Sequence, residues 1–122
     1  LDSKHPIIYA KWVGENANFN NLNADIISVN TYMNSVQDMR NAGEFSIPAP
    51  EGKAYMLGEF GHVLSQATEQ WNLSKQYSGG AFLEYNNVWW KGSGHNVLGA
   101  VNEFRQANPE RFNFFKSLYS SS

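Results

Sequence analysis

Short apolar runs punctuated by glycine constrain the fold of this chain more than any other feature. Ala54-Tyr55-Met56-Leu57 leads into Gly58-Glu59-Phe60-Gly61, and Ile26-Ile27-Ser28-Val29 is nearly as apolar. Runs of this length between turn residues read as buried strands. Their near-continuous apolar character is the habit of parallel sheets, which are covered on both faces. His5 to Val13 is another candidate, with Pro6 at a strand start and Gly14 after it. Gly79-Gly80 opens a fourth, Ala81-Phe82-Leu83-Glu84-Tyr85. The spacing therefore predicts strands over 5–13, 24–32, 53–59 and 81–85.

Helical signals lie between and after these runs. A short helix is expected around Ser35 to Asn41, and a longer one within Ser65 to Tyr77. The last helix is the best marked. Asn108 suits an N-cap and Pro109 the first helical position. Phe112, Phe115, Leu118 and Tyr119 recur at three- and four-residue spacings and make one apolar stripe. Strands alternating with helices imply parallel βα units. Four such strands do not close a barrel, and the helices are too few to cover both faces of an open sheet. Residues 1–122 are thus expected to form one partial α/β domain. Leu1-Asp2-Ser3-Lys4 reads as the tail of a helix–strand connection inside a longer protein.

Charge and composition narrow the function. Nine Lys and Arg stand against eleven Asp and Glu, for a net charge of −2, and no basic run is present. Nucleic acid is therefore not an expected partner. No apolar stretch approaches the roughly 18 residues of a membrane span, so no membrane is expected either. Without cysteine there are no disulfides and no thiolate metal sites. His5, His62 and His95 are scattered without ligand spacing, so no metal is expected. Aromatics make up 15% of the chain and charged residues only 16%. That balance suits both a packed core and sites where rings stack on sugar faces.

Glu59 is the residue most open to chemistry. It is a lone carboxylate delivered at a strand tip, and Gly58 and Gly61 permit tight turning and close backbone approach on either side. In parallel α/β architectures the C-terminal strand ends carry the chemistry. The alternative is a surface glutamate in a turn.

The order of motifs resembles the C-terminal half of a (β/α)8 TIM-barrel glycoside hydrolase of clan A, most nearly family 2 and its relatives among retaining β-glycosidases. The residues that carry the resemblance are His5 to Val13, Asp25 to Tyr32, and Met56-Leu57-Gly58-Glu59-Phe60-Gly61-His62. Gly79 to Tyr85 follow with Trp89-Trp90-Lys91, then Leu98-Gly99-Ala100-Val101 through Arg105, Pro109 and Lys116-Ser117-Leu118. On this resemblance the four strands are the fifth to eighth of a barrel. The chain would be the nucleophile-bearing part of a retaining β-glycoside hydrolase or transglycosylase acting on a carbohydrate, with no cofactor and no metal.

The resemblance implies roles for particular residues. Retaining glycosidases use two carboxyl groups about 5–5.5 Å apart, one a nucleophile and one an acid/base. Glu59 is then the nucleophile, and Tyr32 the tyrosine that donates a hydrogen bond to it; a core or rim tyrosine is the alternative. Asn30 would bind a sugar hydroxyl or satisfy strand-end backbone. His62 would bind sugar or be structural. Trp12, Trp89 and Trp90 would wall the site, with one of the adjacent pair facing the ligand. Glu84, expected in the middle of the last strand, would help hold the site or form a structural ion pair. The acid/base, an Asn-Glu pair at the end of the fourth strand, is expected upstream of Leu1. Partners follow: the upstream half of the barrel, or self-association through exposed sheet edges. A non-catalytic carbohydrate-binding or scaffold module using the Trp-rich face is the competing function.

Overall fold

A computed structural model describes residues 4–15, 23–32, 34–45, 53–88, 91–92 and 97–121. Four strands and three helices are present among them: β1 (Ile8–Trp12), β2 (Ile26–Asn30), α1 (Val36–Asn41), β3 (Ala54–Phe60), α2 (Leu64–Ser74), β4 (Gly80–Phe82) and α3 (Pro109–Ser120). The strands form one sheet in the order β1-β2-β3-β4, every pair parallel. The α/β class and the parallel sheet expected from the apolar runs are both observed.

Local sequence accounts for the helix starts. Ser35 and Asp38 form a capping box on α1: Asp38 N–H donates to Ser35 Oγ (3.1 Å), and Ser35 N–H donates to Asp38 Oδ2 (3.0 Å). Each bond satisfies a backbone donor that a helix start leaves open. Asn108 occupies the N-cap of α3 with Pro109 at the first turn, but its side chain makes no capping bond. Pre-set proline geometry, rather than an asparagine cap, starts this helix.

One core lies on one face of the sheet. Ile27 and Val29 of β2 and Tyr55, Leu57 and Phe60 of β3 pack with Val36 and Met39 of α1, Ala67, Trp71 and Leu73 of α2, and Phe115 and Leu118 of α3. Phe60 stacks on Trp71 with ring centroids 5.9 Å apart and meets Phe115 edge-on at 6.2 Å. The expected stripe on α3 is only partly buried: Phe115 and Leu118 enter the core, while Tyr119 is exposed. All three helices therefore cover the same face. The other face presents Ile8, Ala10 and Trp12 of β1, Ile26 and Ser28 of β2, Ala54 and Met56 of β3, and Ala81 of β4. Ile8 is 55% exposed and Trp12 61%, and no described element covers them. Parallel sheets are normally covered on both faces; among the described residues no helix covers this one, and it is most exposed along β1.

The last strand is shorter than the sequence suggests. Glu84 lies past the end of β4 rather than in its middle. Leu83 N–H still donates to Phe60 carbonyl (2.7 Å). Beyond it the backbone leaves β3 and bonds a returning segment instead: Ala100 N–H to Glu84 carbonyl (2.9 Å) and Val101 N–H to Tyr85 carbonyl (2.9 Å).

Candidate functional site

A bulge aims Glu59. Val29 of β2 pairs with Leu57 of β3, but the next residue, Asn30, pairs with Glu59, leaving Gly58 as the extra residue. Strict alternation would send Glu59 to the helix side with Tyr55 and Leu57. The bulge shifts the phase, so Phe60 returns to the core and Glu59 faces away from the helices. Re-aiming a side chain at a sheet rim is what bulges do. Only glycine fits at the extra position: a Cβ on Gly58 would stand 1.9 Å from Ser28 Oγ and 2.8 Å from Asn30 Oδ1.

Thr31 fixes the Glu59 backbone. Its N–H and its hydroxyl both donate to the Glu59 carbonyl, at 2.9 and 3.0 Å. One oxygen of the Glu59 carboxylate, Oε2, is buried and has no hydrogen-bond partner among the described residues. A buried acceptor left open is costly in a folded protein, and such an atom marks a place where a ligand or reacting group can enter.

Tyr32 lies beside this carboxylate. Its pKa is raised above 10.0, first by burial, then by hydrogen bonding toward Glu59 and by the Glu59 charge. The phenol therefore keeps its proton at neutral pH and stays a donor. Tyr32 also sits at φ +42°. Positive φ is a genuine outlier for a bulky residue, and such strain persists only where the surroundings over-determine it. Here Trp12 stacks on the Tyr32 ring at 4.7 Å and 15°, and the His62 ring stands tilted at 6.3 Å. Trp12, Asn30, Tyr32, Glu59 and His62 thus gather at the C-terminal ends of three adjacent strands. Glu84 follows the fourth strand at the same edge. Trp89 and Trp90 lie outside the described residues.

Two buried polar side chains tie these strand ends together, and neither was anticipated from the sequence. Gln70 of α2 accepts from Gly61 N–H (3.1 Å) and donates to Asn34 carbonyl (2.7 Å), joining the turns after β3 and β2. Arg111 of α3 donates to the carbonyls of Gly61 (2.7 Å) and Leu83 (2.9 Å), joining the turns after β3 and β4. Burial lowers the Arg111 pKa, and the charges of Glu110 and Glu84 oppose that shift. The available signal was helical spacing: Gln70 falls three residues after Ala67, and Arg111 four before Phe115, so both occupy apolar faces. A polar residue on such a face needs a partner.

Glu15, after β1, is occupied otherwise. It accepts from Tyr9 hydroxyl (2.6 Å) and from Trp12 N–H (3.1 Å). The Tyr9 bond first, then the Trp12 bond, lowers its pKa below 4.5, which suits an anion better than a proton donor. Among the described residues no group of three or more His, Cys, Asp and Glu is arranged to hold a metal ion. No protein-family model matches this sequence, and neither the curated proteins nor the solved structures contain a significant match.

Proposed function

We propose that this chain supplies the nucleophile-bearing half of a (β/α)8 retaining β-glycoside hydrolase or transglycosylase. The observation that carries the reading is Glu59. Its carboxylate leaves the C-terminal end of a parallel strand on the face away from the helices, with one buried oxygen open and a protonated phenol beside it. In a retaining mechanism one Glu59 oxygen bonds to the anomeric carbon as the glycosidic C–O bond breaks. Tyr32 holds the nucleophile and steadies its charge, and the exposed Trp12 ring offers a stacking face to the sugar.

The proton for the leaving group comes, on this reading, from a glutamate on a strand that pairs with the open edge of β1. The sheet face that no described helix covers supports this, since it is the face a barrel interior would enclose. Glu15 is a poor substitute because two donors favour its ionised form.

The exposed Trp12 ring, stacked on half-buried Tyr32, also favours a second reading, a carbohydrate-binding module without chemistry. Aryl β-glycosides separate the two, because their leaving groups need little protonation. Release of the aryl alcohol by the wild type and its loss in Glu59→Gln supports the glycosidase. Turnover indifferent to Glu59→Gln overturns it, and sugar binding without turnover selects the module.

A further inference from the structure

A cavity opens beyond β4, past the site around Glu59. It has a volume of about 500 Å³ and is lined by Tyr85, Asn86, Glu103 and Arg105. Small-molecule sites span about 300–1,000 Å³. Both of its walls are fixed by backbone bonds. Tyr85 and Asn86 belong to the segment paired with Val101, through Val101 N–H to Tyr85 carbonyl (2.9 Å) and Asn87 N–H to Val101 carbonyl (3.0 Å). Glu103 and Arg105 sit on the turn that begins one residue later. Asn102 closes that turn: its Oδ1 accepts from Phe104 N–H (3.0 Å) and Gln106 N–H (2.9 Å), and its carbonyl accepts from Arg105 N–H (2.9 Å). The turn holds Arg105 at φ +61°, a conformation that non-glycine residues seldom adopt.

Two of the lining side chains are uncommitted, while the Asn86 amide donates to the Asn87 carbonyl (3.3 Å). Among the described residues Glu103 and Arg105 make no side-chain hydrogen bond or ion pair, although they line one cavity with opposite charges. Tyr85 is 66% exposed, a large ring face held in water by a rigid backbone. From these facts we propose that this cavity binds a neutral pyranose, as a subsite remote from Glu59 for a further unit of an oligosaccharide. The inference rests on the carbohydrate reading given above and extends it from the cleaved bond to chain length.

The chemistry of the four residues selects that ligand. A sugar hydroxyl both donates and accepts. Arg105 only donates, the Glu103 carboxylate oxygens accept, and the Asn86 amide keeps its oxygen and one hydrogen beyond its bond to the Asn87 carbonyl. Planar groups of this kind engage two neighbouring hydroxyls at once, as a guanidinium does a carboxylate. The C–H face of a pyranose matches an exposed tyrosine ring. Glu103 offsets Arg105, so the cavity has no net charge with which to select an anion such as a phosphate.

The test is an amide-resolved NMR titration with methyl β-glucoside, methyl β-galactoside and methyl β-mannoside. Each is taken to about 10 mM, roughly ten times the concentration for half-saturation of a 1 mM site. The expected result is shifts at Tyr85, Asn86 and residues 103–106 with at least one sugar, retained in Glu59→Gln. Arg105→Gln and Tyr85→Ala, both at exposed positions, should each weaken that binding by about tenfold while leaving the rest of the spectrum unchanged. Shifts confined to Trp12, Tyr32, Glu59 and His62 overturn the subsite and leave the glycosidase reading standing. No shift at either place overturns both.

Discussion

Gly58→Ala tests the geometry that aims Glu59. An added Cβ would lie 1.9 Å from Ser28 Oγ, 3.2 Å from Ser28 Cβ and 2.8 Å from Asn30 Oδ1. Asn30 has a flexible side chain that can swing away. Ser28 is 5% exposed, which leaves its hydroxyl little room, and its Cβ, 3.2 Å from the added carbon, moves only with the strand, so the strand must move or the bulge must shift. Overpacking of this kind costs about 1–3 kcal/mol. With a urea m-value of about 1.5 kcal/mol/M, that lowers the unfolding midpoint by about 0.7–2 M. The double variant Ser28→Ala/Gly58→Ala removes the 1.9 Å clash and keeps the two milder ones, at 2.8 and 3.2 Å. It should recover about half the loss, a coupling of about 1 kcal/mol between residues in direct contact. A Gly58→Ala protein within about 0.5 kcal/mol of wild type, the range of ordinary surface changes, would refute the reasoning. Strict additivity of the two substitutions would refute it equally.

Arg111→Met keeps much of the side-chain volume but removes the donors to Gly61 and Leu83 carbonyls. It should destabilise by about 2–5 kcal/mol in urea unfolding, since two buried acceptors lose their partner. Stability should also fall as pH rises past about 10. Tyr9, Tyr32, Tyr55 and Tyr119 all have raised folded-state pKa values. Their contribution is complete below the unfolded value of about 10 and is lost as the unfolded tyrosines ionise first; urea midpoints measured across that pH show it, and a flat profile would contradict it. The sheet face and the edges of β1 and β4 that no described element covers should drive residues 1–122, studied alone, to self-associate. Sedimentation showing a monomer with sharp cooperative unfolding would contradict the half-barrel.

The sequence disclosed the strands because their signals are local. Short apolar runs located β1 to β3 to within a few residues, and the short helix expected around Ser35 to Asn41 is α1. The end of β4 was hidden because it depends on a distant competitor. Residues 98–101 capture the backbone of Glu84 and Tyr85, and nothing in Leu83-Glu84-Tyr85 announces that. The Glu59 neighbourhood was legible as a strand tip between glycines, yet its direction was not. Alternation alone would have buried Glu59 among the helices; the pairing of Asn30 with Glu59 reverses that. Helical spacing marks Gln70 and Arg111 as polar residues on apolar faces, but their partners are backbone groups of the turns after β2, β3 and β4, which leave no pattern in side-chain order.

The identity of Glu59 as a nucleophile is tested most directly by trapping it. A 2-deoxy-2-fluoro β-glycoside with a dinitrophenolate leaving group needs no proton donor for its first step. One Glu59 oxygen bonds to the anomeric carbon, and the phenolate departs with the electron pair of the broken C–O bond. The fluorine slows hydrolysis of the resulting ester. Intact-protein mass spectrometry should show the gain of one fluoroglycosyl unit, and peptide mapping should place it on Glu59, with none in Glu59→Gln. A label on Glu84, on Glu15 or on any other carboxylate, or no label with any hexose tried, would contradict the assignment.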